Sequence, residues 1–546
     1  MKFPNIYTLF REQTAKYRGK PVFYSRQSDG WKSQNWEDFE EQVHNFACAL
    51  LAKGLTKGAS VAILAGNIAE WAICDIGTIA AGGICVGIYP TSSPEQCEYI
   101  INHSDAEFVV IDTEKQLQKV SEVSRKFQKV KEVICLETGD FAKLLEFGKQ
   151  NRAEFLPKIE EIAYNAKPED IAIMVYTSGT TGNPKGAMLS HQYILNSVES
   201  LKQTIPIFET DVCFSYLPFC HVAERISGLY NRLYNGTSVY FVDDLSKLYA
   251  YMLEVKPTVF ASLPRFFEKI YAKVVSEYGK NVDPQKLKDA FGGHIRLATS
   301  GGAPLPNEIA DFFASHDLPI LQAYGLTENI CVAFNRANDF KFGTVGKPMP
   351  MCEVKIAQDG EILVKSPMIF SGYYKEPEKT AEMFKADGWL LTGDLGKIDE
   401  DGFLNITGRK KEIIVLSNGK NVAPALIENL VKENHLISQC FLSGDGKSYC
   451  VALITLNQAE AEMFGKVNKL PFKDFADLTN NQMLAKSIEE TVNKANAKVS
   501  SSEQIKKFMI LERDFSADLG EITPTLKLKR TVVAEKFREI IESLYR

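Results

Sequence analysis

The sequence predicts an α/β protein with a large N-terminal domain of doubly wound sheets, a small β-barrel-like subdomain and a small mobile α+β C-terminal domain. Two observations favour this fold: apolar runs alternate with helical patterns early in the chain, and short strands joined by tight turns follow residue 343. A chain of 546 residues is also too long for one hydrophobic core. The expected divisions are an N-terminal domain 1–408, with subunits of about 1–165, 166–340 and 341–408, and a C-terminal domain 409–546.

The first subunit is predicted to alternate strands with helices. Apolar runs at 61–64 and 84–88 are typical of buried strands, and the periodicity of 68–81 predicts a helix that ends at Gly82. Because this alternation favours parallel sheets, ligands are expected at the carboxyl ends of the strands.

A loop rich in hydroxyl groups and glycines follows the apolar run 171–175. Glycines let backbone N–H groups approach an anion, hydroxyls add donors, and Lys185 supplies positive charge, so the loop suits a polyphosphate. It is not a Walker A loop, because Pro184 stands where that pattern needs glycine, and the alternative is a plain surface turn. The loop residues expected to bind the nucleotide are Thr177, Ser178, Gly179, Thr180, Thr181 and Gly182.

The ends of two later strands also have residues that suit ligand binding. The strand predicted at 295–299 ends in Gly301, Gly302 and Ala303, whose small side chains allow a flat ring to approach; a plain strand-to-helix turn is the alternative. The next strand ends in a segment with an aromatic ring, a glycine, a hydroxyl and a carboxylate. Those residues are Gln322, Tyr324, Gly325, Thr327 and Glu328.

The side chains of this second segment suit a nucleotide and its metal. Tyr324 can stack on adenine, Thr327 can donate a hydrogen bond to the α-phosphate, and Glu328 can hold Mg²⁺, a cation that prefers oxygen ligands. From residue 343 onward the pattern predicts short antiparallel strands, with a hairpin turn at 399–402.

These segments resemble the adenylate-forming enzymes, a superfamily that contains acyl-CoA synthetases, non-ribosomal adenylation domains and luciferases. The resemblance extends over nearly the whole chain. It implies that Asp394 binds the ribose, that Arg409 binds the ribose or a phosphate, and that Thr177 and Glu328 serve the metal. It also implies that Gly302 and Ala303 border adenine and that Gly301 begins the acyl site.

The C-terminal domain is expected, from the same resemblance, to carry the remaining parts. Lys411 is the implied hinge and Gly419 is implied to lie against the coenzyme A tunnel. The segment 522–530 supplies the catalytic lysine, but Leu526 stands where the family has glycine, which leaves a choice between Lys527 and Lys529. The spacing to Arg530 favours Lys527.

Residues 217–225 and 416–424 resemble the long-chain fatty acyl-CoA synthetase branch. His221 then lines the acyl site as a gate, or it is an ordinary core histidine. The implied reaction uses ATP and Mg²⁺ to make an acyl-AMP, with Lys185, Thr327, Glu328 and Lys527 as the catalytic residues, and then forms acyl-CoA with coenzyme A. The alternatives are an acyl-AMP ligase that serves a carrier protein and a non-catalytic relative that uses the same fold.

Composition restricts the other function classes. A net charge of −6 argues against nucleic acid as a partner, and the expected partners are small molecules. The eleven cysteines show no metal-binding or disulfide spacing. No signal peptide or membrane span is predicted, so a cytoplasmic monomer or homodimer is expected, with any membrane contact being peripheral at the inner face.

Overall fold

A computed structural model describes residues 2–177, 183–523 and 527–546. Its strands, in chain order, are β1 Pro21–Gln27, β2 Gly30–Asn35, β3 Ser60–Leu64, β4 Ile84–Ile88, β5 Ala106–Ile111, β6 Glu132–Cys135, β7 Ile171–Thr177, β8 Lys185–Ser190, β9 Val212–Ser215, β10 Ser238–Phe241, β11 Val259–Ser262, β12 Leu297–Ser300, β13 Ile320–Leu326, β14 Asn329–Phe334, β15 Lys347–Pro348, β16 Glu353–Ile356, β17 Glu361–Lys365, β18 Leu390–Ile398, β19 Leu404–Arg409, β20 Ile414–Val415, β21 Asn421–Val422, β22 Ile437–Ser443, β23 Cys450–Leu456 and β24 Ile505–Ile510.

The α-helices are α1 Ile6–Tyr17, α2 Trp36–Ala52, α3 Ala69–Ala80, α4 Pro94–His103, α5 Glu114–Ser121, α6 Asp140–Gln150, α7 Arg152–Tyr164, α8 His191–Thr204, α9 Asn231–Asn235, α10 Leu248–Val255, α11 Pro264–Tyr278, α12 Pro284–Asp289, α13 Asn307–Ser315, α14 Pro377–Ala381, α15 Pro424–Val431, α16 Gln458–Val467, α17 Phe475–Thr479, α18 Gln482–Asn496, α19 Arg530–Lys536 and α20 Arg538–Ser543. A π-helix covers Ala223–Tyr230 and leads into α9.

The first large sheet has the order β6-β5-β3-β4-β7-β8, and its strands are parallel except β8, which is antiparallel to β7. The strands predicted at 61–64 and 84–88 and the helix predicted at 68–81 are confirmed within one residue. β3 and β5 are buried along their whole length, because helices cover both faces of the sheet.

The subunit boundary predicted near residue 165 is wrong as a division between sheets. β7 and β8 pair with β4 and complete the first sheet, while β1 and β2 pair with β10 and β9 in a separate four-stranded sheet. The sequence shows where strands begin and end, but it does not show which strands become neighbours after a long crossover.

The next two sheets carry most of the candidate site. The order β11-β12-β13-β14-β15 begins parallel and turns antiparallel at the β13–β14 hairpin. β16 to β19 form an antiparallel sheet, as predicted, and its outer strands β16 and β19 do not pair with each other, so the sheet is open rather than a closed barrel. The predicted turn at 399–402 is confirmed by a hydrogen bond from Gly402 N to Asp399 O of 3.0 Å.

The C-terminal part has its own hydrophobic core. β22, β23 and β24 form one sheet, and α15 and α18 pack against it through side chains such as Ile427 and Ile488. All eleven cysteines are buried and unpaired. Within the described residues, no helix has both the length and the apolar character that a membrane crossing requires.

Candidate active site

The loop rich in hydroxyl groups and glycines, predicted to bind a polyphosphate and called the phosphate loop from here on, connects two antiparallel strands of the first sheet. β7 ends at Thr177 and β8 begins at Lys185, and these two residues are direct partners in the strand register, so they lie opposite each other at the base of the loop. The ammonium group of Lys185 lies 4.8 Å from the ring centre of Tyr373. The predicted contacts Ser178, Gly179, Thr180, Thr181 and Gly182 lie outside the described residues.

Thr327 and Glu328 lie in the tight turn between β13 and β14. At Gly325 a Cβ atom would lie 1.9 Å from the carbonyl oxygen of Ile330, so only glycine allows the two strands to approach this closely. The hydroxyl group of Tyr193 secures the turn, since it donates to the carbonyl of Thr327 at 3.0 Å and accepts from the N–H of Ile330 at 3.0 Å. The turn therefore holds Glu328 in a fixed position.

The carboxylate of Glu328 is buried and accepts a hydrogen bond on Oε1 from the hydroxyl of Tyr373. Since the same tyrosine ring lies under the ammonium group of Lys185, Tyr373 joins the base of the phosphate loop to the β13–β14 turn. Lys185 and Glu328 thus both contact Tyr373, the lysine over the ring and the carboxylate at the hydroxyl.

Asp394 lies on β18 and is buried at the centre of a charged cluster. Its Oδ2 accepts from the hydroxyl of Tyr324 at 2.5 Å, and its Oδ1 lies 2.8 Å from Nε of Arg409. Asp394 and Arg409 are direct partners in the β18–β19 register, which explains why two residues fifteen positions apart meet. The structure therefore brings Tyr324, Asp394 and Arg409 together.

Lys527 of the C-terminal domain faces this cluster. Burial lowers the pKa of Lys527, the positive charge of Arg409 lowers it further, and the carboxylates of Asp394, Glu412 and Glu328 oppose the shift. Lys527 therefore lies in the electrostatic field of this cluster. Lys529, the alternative candidate, instead points its backbone N–H at the carbonyl of Glu521 at 2.8 Å.

His221 lies at the entry to the π-helix and is held as a neutral ring. The N–H of Ala223 donates to its Nδ1 at 3.1 Å, so the proton of the neutral ring is on Nε2. Burial first, and the charge of Lys527 second, lower the pKa of His221 to about 4. A neutral N–H donor therefore lies within electrostatic range of the catalytic lysine candidate.

The segment predicted to border adenine forms a turn after β12. Gly302 has a φ of +79° and is exposed with Ala303, while Gly301 is half-buried. Gln322 is buried in the next strand, and its Oε1 accepts from the N–H of Leu305 at 3.1 Å, which ties this turn to β13. Gln322 thus holds the turn through its side chain.

Lys411 and Gly419 lie in exposed turns after β19. Lys411 is exposed in a 3₁₀ turn over Lys410–Glu412, directly after β19. Gly419 lies in the exposed turn between β20 and β21 with a φ of +78°, and its N–H donates to the carbonyl of Leu416 at 2.8 Å. The positions agree with a linker and a surface loop, and the predicted roles stay predictions.

Sequence reasoning missed several residues that shape the site. Tyr373 and Tyr193 act through their hydroxyl groups on residues far away in the chain, and no local pattern marks such contacts. Asp75 and Arg225 form a fully buried ion pair behind His221. The only signal for that pair is the presence of a charge in each of two otherwise apolar segments.

The comparisons with known proteins agree with this geometry. Residues 10–374 match the model of the AMP-binding enzyme family, and residues 411–546 match the C-terminal domain of AMP-binding enzymes. The chain belongs to the AMP-binding enzyme family. The resemblance to the adenylate-forming enzymes and the predicted α/β fold, with a large N-terminal and a smaller C-terminal domain, are thereby confirmed.

Among the relatives of this AMP-binding enzyme is the long-chain-fatty-acid–CoA ligase FadD15 of Mycobacterium tuberculosis, 36% identical over 96% of this chain and 94% of the relative. The human long-chain-fatty-acid–CoA ligase ACSBG2 is 30% identical over 98% of this chain and 92% of the relative. The solved fatty acyl CoA synthetase of Mycobacterium tuberculosis has the same fold, with a TM-score of 0.69, 21% identity, and coverage of 98% of this chain and 99% of that one.

Proposed function

We propose that this AMP-binding enzyme is an AMP-forming long-chain fatty acid–CoA ligase. One observation carries the proposal: Lys527 of the C-terminal domain lies in the field of Arg409, Asp394 and Glu328 of the N-terminal domain. A cation brought by one domain to the nucleotide-binding residues of the other is what adenylation of a carboxylate requires. The names of the relatives supply the acyl substrate and the thiol.

The first half-reaction joins the acid to AMP. A carboxylate oxygen of the fatty acid attacks the α-phosphorus of ATP, and the bond from that phosphorus to the bridging oxygen breaks to release pyrophosphate. Because two anions must meet, fixed positive charge has to stabilise the transition state. Lys527 supplies it at the α-phosphate, Lys185 supplies it at the leaving pyrophosphate, and Thr327 donates a hydrogen bond to the α-phosphate.

The ribose and adenine are held by the cluster around Asp394. A carboxylate can accept hydrogen bonds from both hydroxyls of a vicinal diol, which fits Asp394 to the ribose. Arg409 lies beside this carboxylate, with its Nε 2.8 Å from Oδ1, and holds it in place. Tyr324 offers its ring to adenine while its hydroxyl is engaged by Asp394. The exposed turn at Gly302 and Ala303 leaves room for a flat ring beside it.

The residues present fit Mg²⁺. Magnesium is usually held by one or two protein carboxylates together with substrate phosphates. Glu328 provides such a carboxylate, with Thr177 at the base of the phosphate loop as a further oxygen donor. No cluster of three or more acidic, histidine or cysteine ligands exists among the described residues, which agrees with a metal that arrives with ATP. Bound Mg²⁺ would neutralise phosphate charge.

The second half-reaction transfers the acyl group to coenzyme A. The sulfur of the thiolate attacks the acyl carbonyl, the bond to the phosphate oxygen breaks, and AMP leaves. Lys527 has no task in this step, so the domain 409–546 rotates about Lys411 and brings the Gly419 turn to the thiol tunnel. The acyl chain enters beside Gly301 and His221, and neutral His221 gates that entry.

The enzyme is a cytoplasmic monomer or homodimer, with any contact to the inner face of a membrane being peripheral. Agreement with this setting comes from the described residues, in which no helix is suited to span a bilayer.

The decisive experiment measures AMP release with ATP, Mg²⁺ and coenzyme A over a ladder of acids, from acetate through palmitate and oleate to benzoate and anthranilate. The proposal expects AMP release that depends on coenzyme A and is strongest with long-chain fatty acids. Release that is strongest with the aryl acids would overturn the long-chain assignment.

The same assay tests the alternative of a carrier-protein ligase. Without coenzyme A, the proposed ligase should make at most about one acyl-AMP per active site. With coenzyme A it should turn over and yield acyl-CoA. Turnover with an added carrier protein but none with coenzyme A would support the alternative instead.

A further inference from the structure

Lys527 lies in one of two short paired segments, 521–523 and 527–529, which together we call the lysine hairpin. Ile522 and Leu528 form an antiparallel bridge, and the N–H of Lys529 donates to the carbonyl of Glu521 at 2.8 Å. Nearer the tip, the N–H of Thr523 donates to the carbonyl of Lys527 at 2.7 Å. Backbone bonds of this kind define the shape of the hairpin, but they do not attach it to the rest of the domain.

Glu521 attaches the first strand of the lysine hairpin. Its carboxylate is fully buried and accepts two hydrogen bonds from Arg513, each of 2.7 Å, and one from the N–H of Ser516 at 3.0 Å. Lys536 of α19 lies 3.3 Å from the same carboxylate. Arg513 follows β24, so this carboxylate ties the hairpin to the sheet on one side and to the helix on the other.

Arg530 attaches the other strand. Its Nη1 donates to Oε1 of Glu428 at 2.7 Å, and its Nη2 donates to the carbonyl of Leu442 at 2.5 Å. Glu428 is itself fixed, because its Oε1 also accepts from the N–H of Leu442 at 2.6 Å. The second ion pair therefore joins the hairpin to α15 and β22.

We propose that the Arg513–Glu521 and Glu428–Arg530 ion pairs form a rigid frame that holds Lys527 at the α-phosphate, so that Glu521 and Glu428 are positioning residues for adenylation alone. The idea rests on the proposed function. Attachment at Glu521 and at Arg530, one at each end of the lysine hairpin, restricts the hairpin more than one attachment would, because a single attachment still permits rotation about it. Positioning errors of about 1 Å can cost on the order of 100-fold in rate.

Two alternatives make different predictions. If the ion pairs only stabilise the C-terminal domain, their loss should harm both half-reactions, because the proposed thiol transfer also needs that domain through its Gly419 turn. If the frame positions Lys527, removal of an ion pair should lower the rate of the first half-reaction only. The ratio of the two half-reaction rates therefore separates positioning from general stability.

The test compares Glu521→Gln and Glu428→Gln with the intact enzyme in two assays. ATP–pyrophosphate exchange with palmitate reports adenylation, and acyl-CoA formation from preformed palmitoyl-AMP reports transfer. The frame predicts a loss of exchange of about 10- to 100-fold for each variant, with transfer within about twofold of the intact enzyme. Equal losses in both assays, or unchanged exchange, would overturn the proposal.

Glu433→Gln is the matched control, since it removes the carboxylate that pairs with Lys498 at 3.2 Å on the surface of the same domain. This variant should keep both rates, because exposed ion pairs contribute little. If a glutamine variant fails to fold, Arg513→Lys replaces it, since lysine keeps the charge but loses the two-point contact. Arg513→Lys should show the same selective loss of exchange, and normal exchange would count against the frame.

A double variant shows whether the frame acts through Lys527. In the Lys527→Ala background, Glu521→Gln should cost little further exchange, because there is no ammonium group left to position. Additive losses would overturn the idea. Measurements on the intact enzyme distinguish failure of the frame from failure of the proposed function. If the intact enzyme shows no palmitate-dependent exchange, the proposed function is contradicted. If the intact enzyme shows exchange and Glu521→Gln exchanges normally, only the frame is contradicted.

Discussion

At the scale of single residues, the surroundings of Lys527 and Lys529 decide which one faces the site. Both lysines are near Arg530 in sequence; Leu526, in place of the family's glycine, left the choice open, and the spacing to Arg530 favoured Lys527. In the structure, burial and then the positive charge of Arg409 lower the pKa of Lys527, while the carboxylates of Asp394, Glu412 and Glu328 oppose this shift. Lys527 therefore lies in the field of the residues predicted to bind the nucleotide.

We expect Lys527→Ala to abolish adenylation and to leave transfer from preformed acyl-AMP largely intact. Removing the ammonium group takes away charge that is needed only while pyrophosphate leaves, and a loss of about 100-fold or more is expected. Pyrophosphate exchange and acyl-CoA yield on one preparation measure the two steps. Lys529→Ala is the control and should keep normal exchange. The opposite result, with exchange lost only in Lys529→Ala, would identify Lys529 as the catalytic lysine.

Glu328→Gln should raise the concentration of Mg²⁺ needed for half-maximal adenylation and lower the maximal rate. The amide keeps the shape of the side chain and one oxygen, but it removes the negative charge that a hard cation needs. Exchange rates over a Mg²⁺ titration measure the effect, and urea denaturation checks the fold. Tyr373→Phe is the companion variant, since it keeps the carboxylate and removes only its hydrogen bond. An unchanged Mg²⁺ requirement in Glu328→Gln would rule out its metal role.

At the scale of secondary-structure elements, the π-helix behind His221 depends on a buried charge cluster. Arg225 pairs with Asp75 of α3 with both side chains fully buried, and the hydroxyl of Tyr230 donates to Asp75 at 2.8 Å. The guanidinium also lies 4.7 Å from the ring centre of Trp71. Burial opposes the charge on Arg225, but Asp75 outweighs it and raises the pKa of Arg225 above its usual range.

Asp75→Asn should lower the free energy of unfolding by about 3–5 kcal/mol, because it leaves a buried guanidinium without its counter-charge. Urea denaturation measures this loss. The matched variant is the triple substitution Asp75→Leu, Arg225→Met and Tyr230→Phe, which removes the whole cluster and should recover most of the stability. A triple variant as unstable as Asp75→Asn would mean that packing of the π-helix, rather than the unpaired charge, determines the loss.

The predictions from sequence were strongest for elements set by local periodicity. The strand β3 and the helix α3 both follow from residues that are neighbours in the chain. The π-helix was not predicted; its residues Arg225 and Tyr230 contact Asp75, about 150 positions earlier in the chain, and no local pattern marks such contacts. The same is true of Tyr373 at Glu328: tertiary contacts select these features, and local propensity does not encode them.

At the scale of the whole molecule, the structure holds the two domains in one arrangement, with Lys527 against the nucleotide residues. The only covalent link between the domains in the predicted division is the chain after β19, where Lys410 pairs with Glu361 at 2.8 Å and with Asp359 at 2.7 Å. These ion pairs tie the residue before Lys411 to the N-terminal domain. A hinge at Lys411 would therefore have a fixed side and a free side, which is the arrangement that rotation of one domain requires.

Lys411→Pro should separate the half-reactions in the opposite sense to Lys527→Ala. Proline fixes φ near −65°, a value that a 3₁₀ turn accepts, so the substitution should favour the arrangement described here, in which Lys527 faces Asp394. Exchange should stay within about threefold of the intact enzyme, while transfer to coenzyme A should fall by about tenfold or more, because the domain can no longer rotate. Proline also disfavours helical dihedrals at Lys410, so Lys411→Ala and a thermal unfolding curve serve as controls. Equal losses in the two assays would mean that Lys411 is not the hinge.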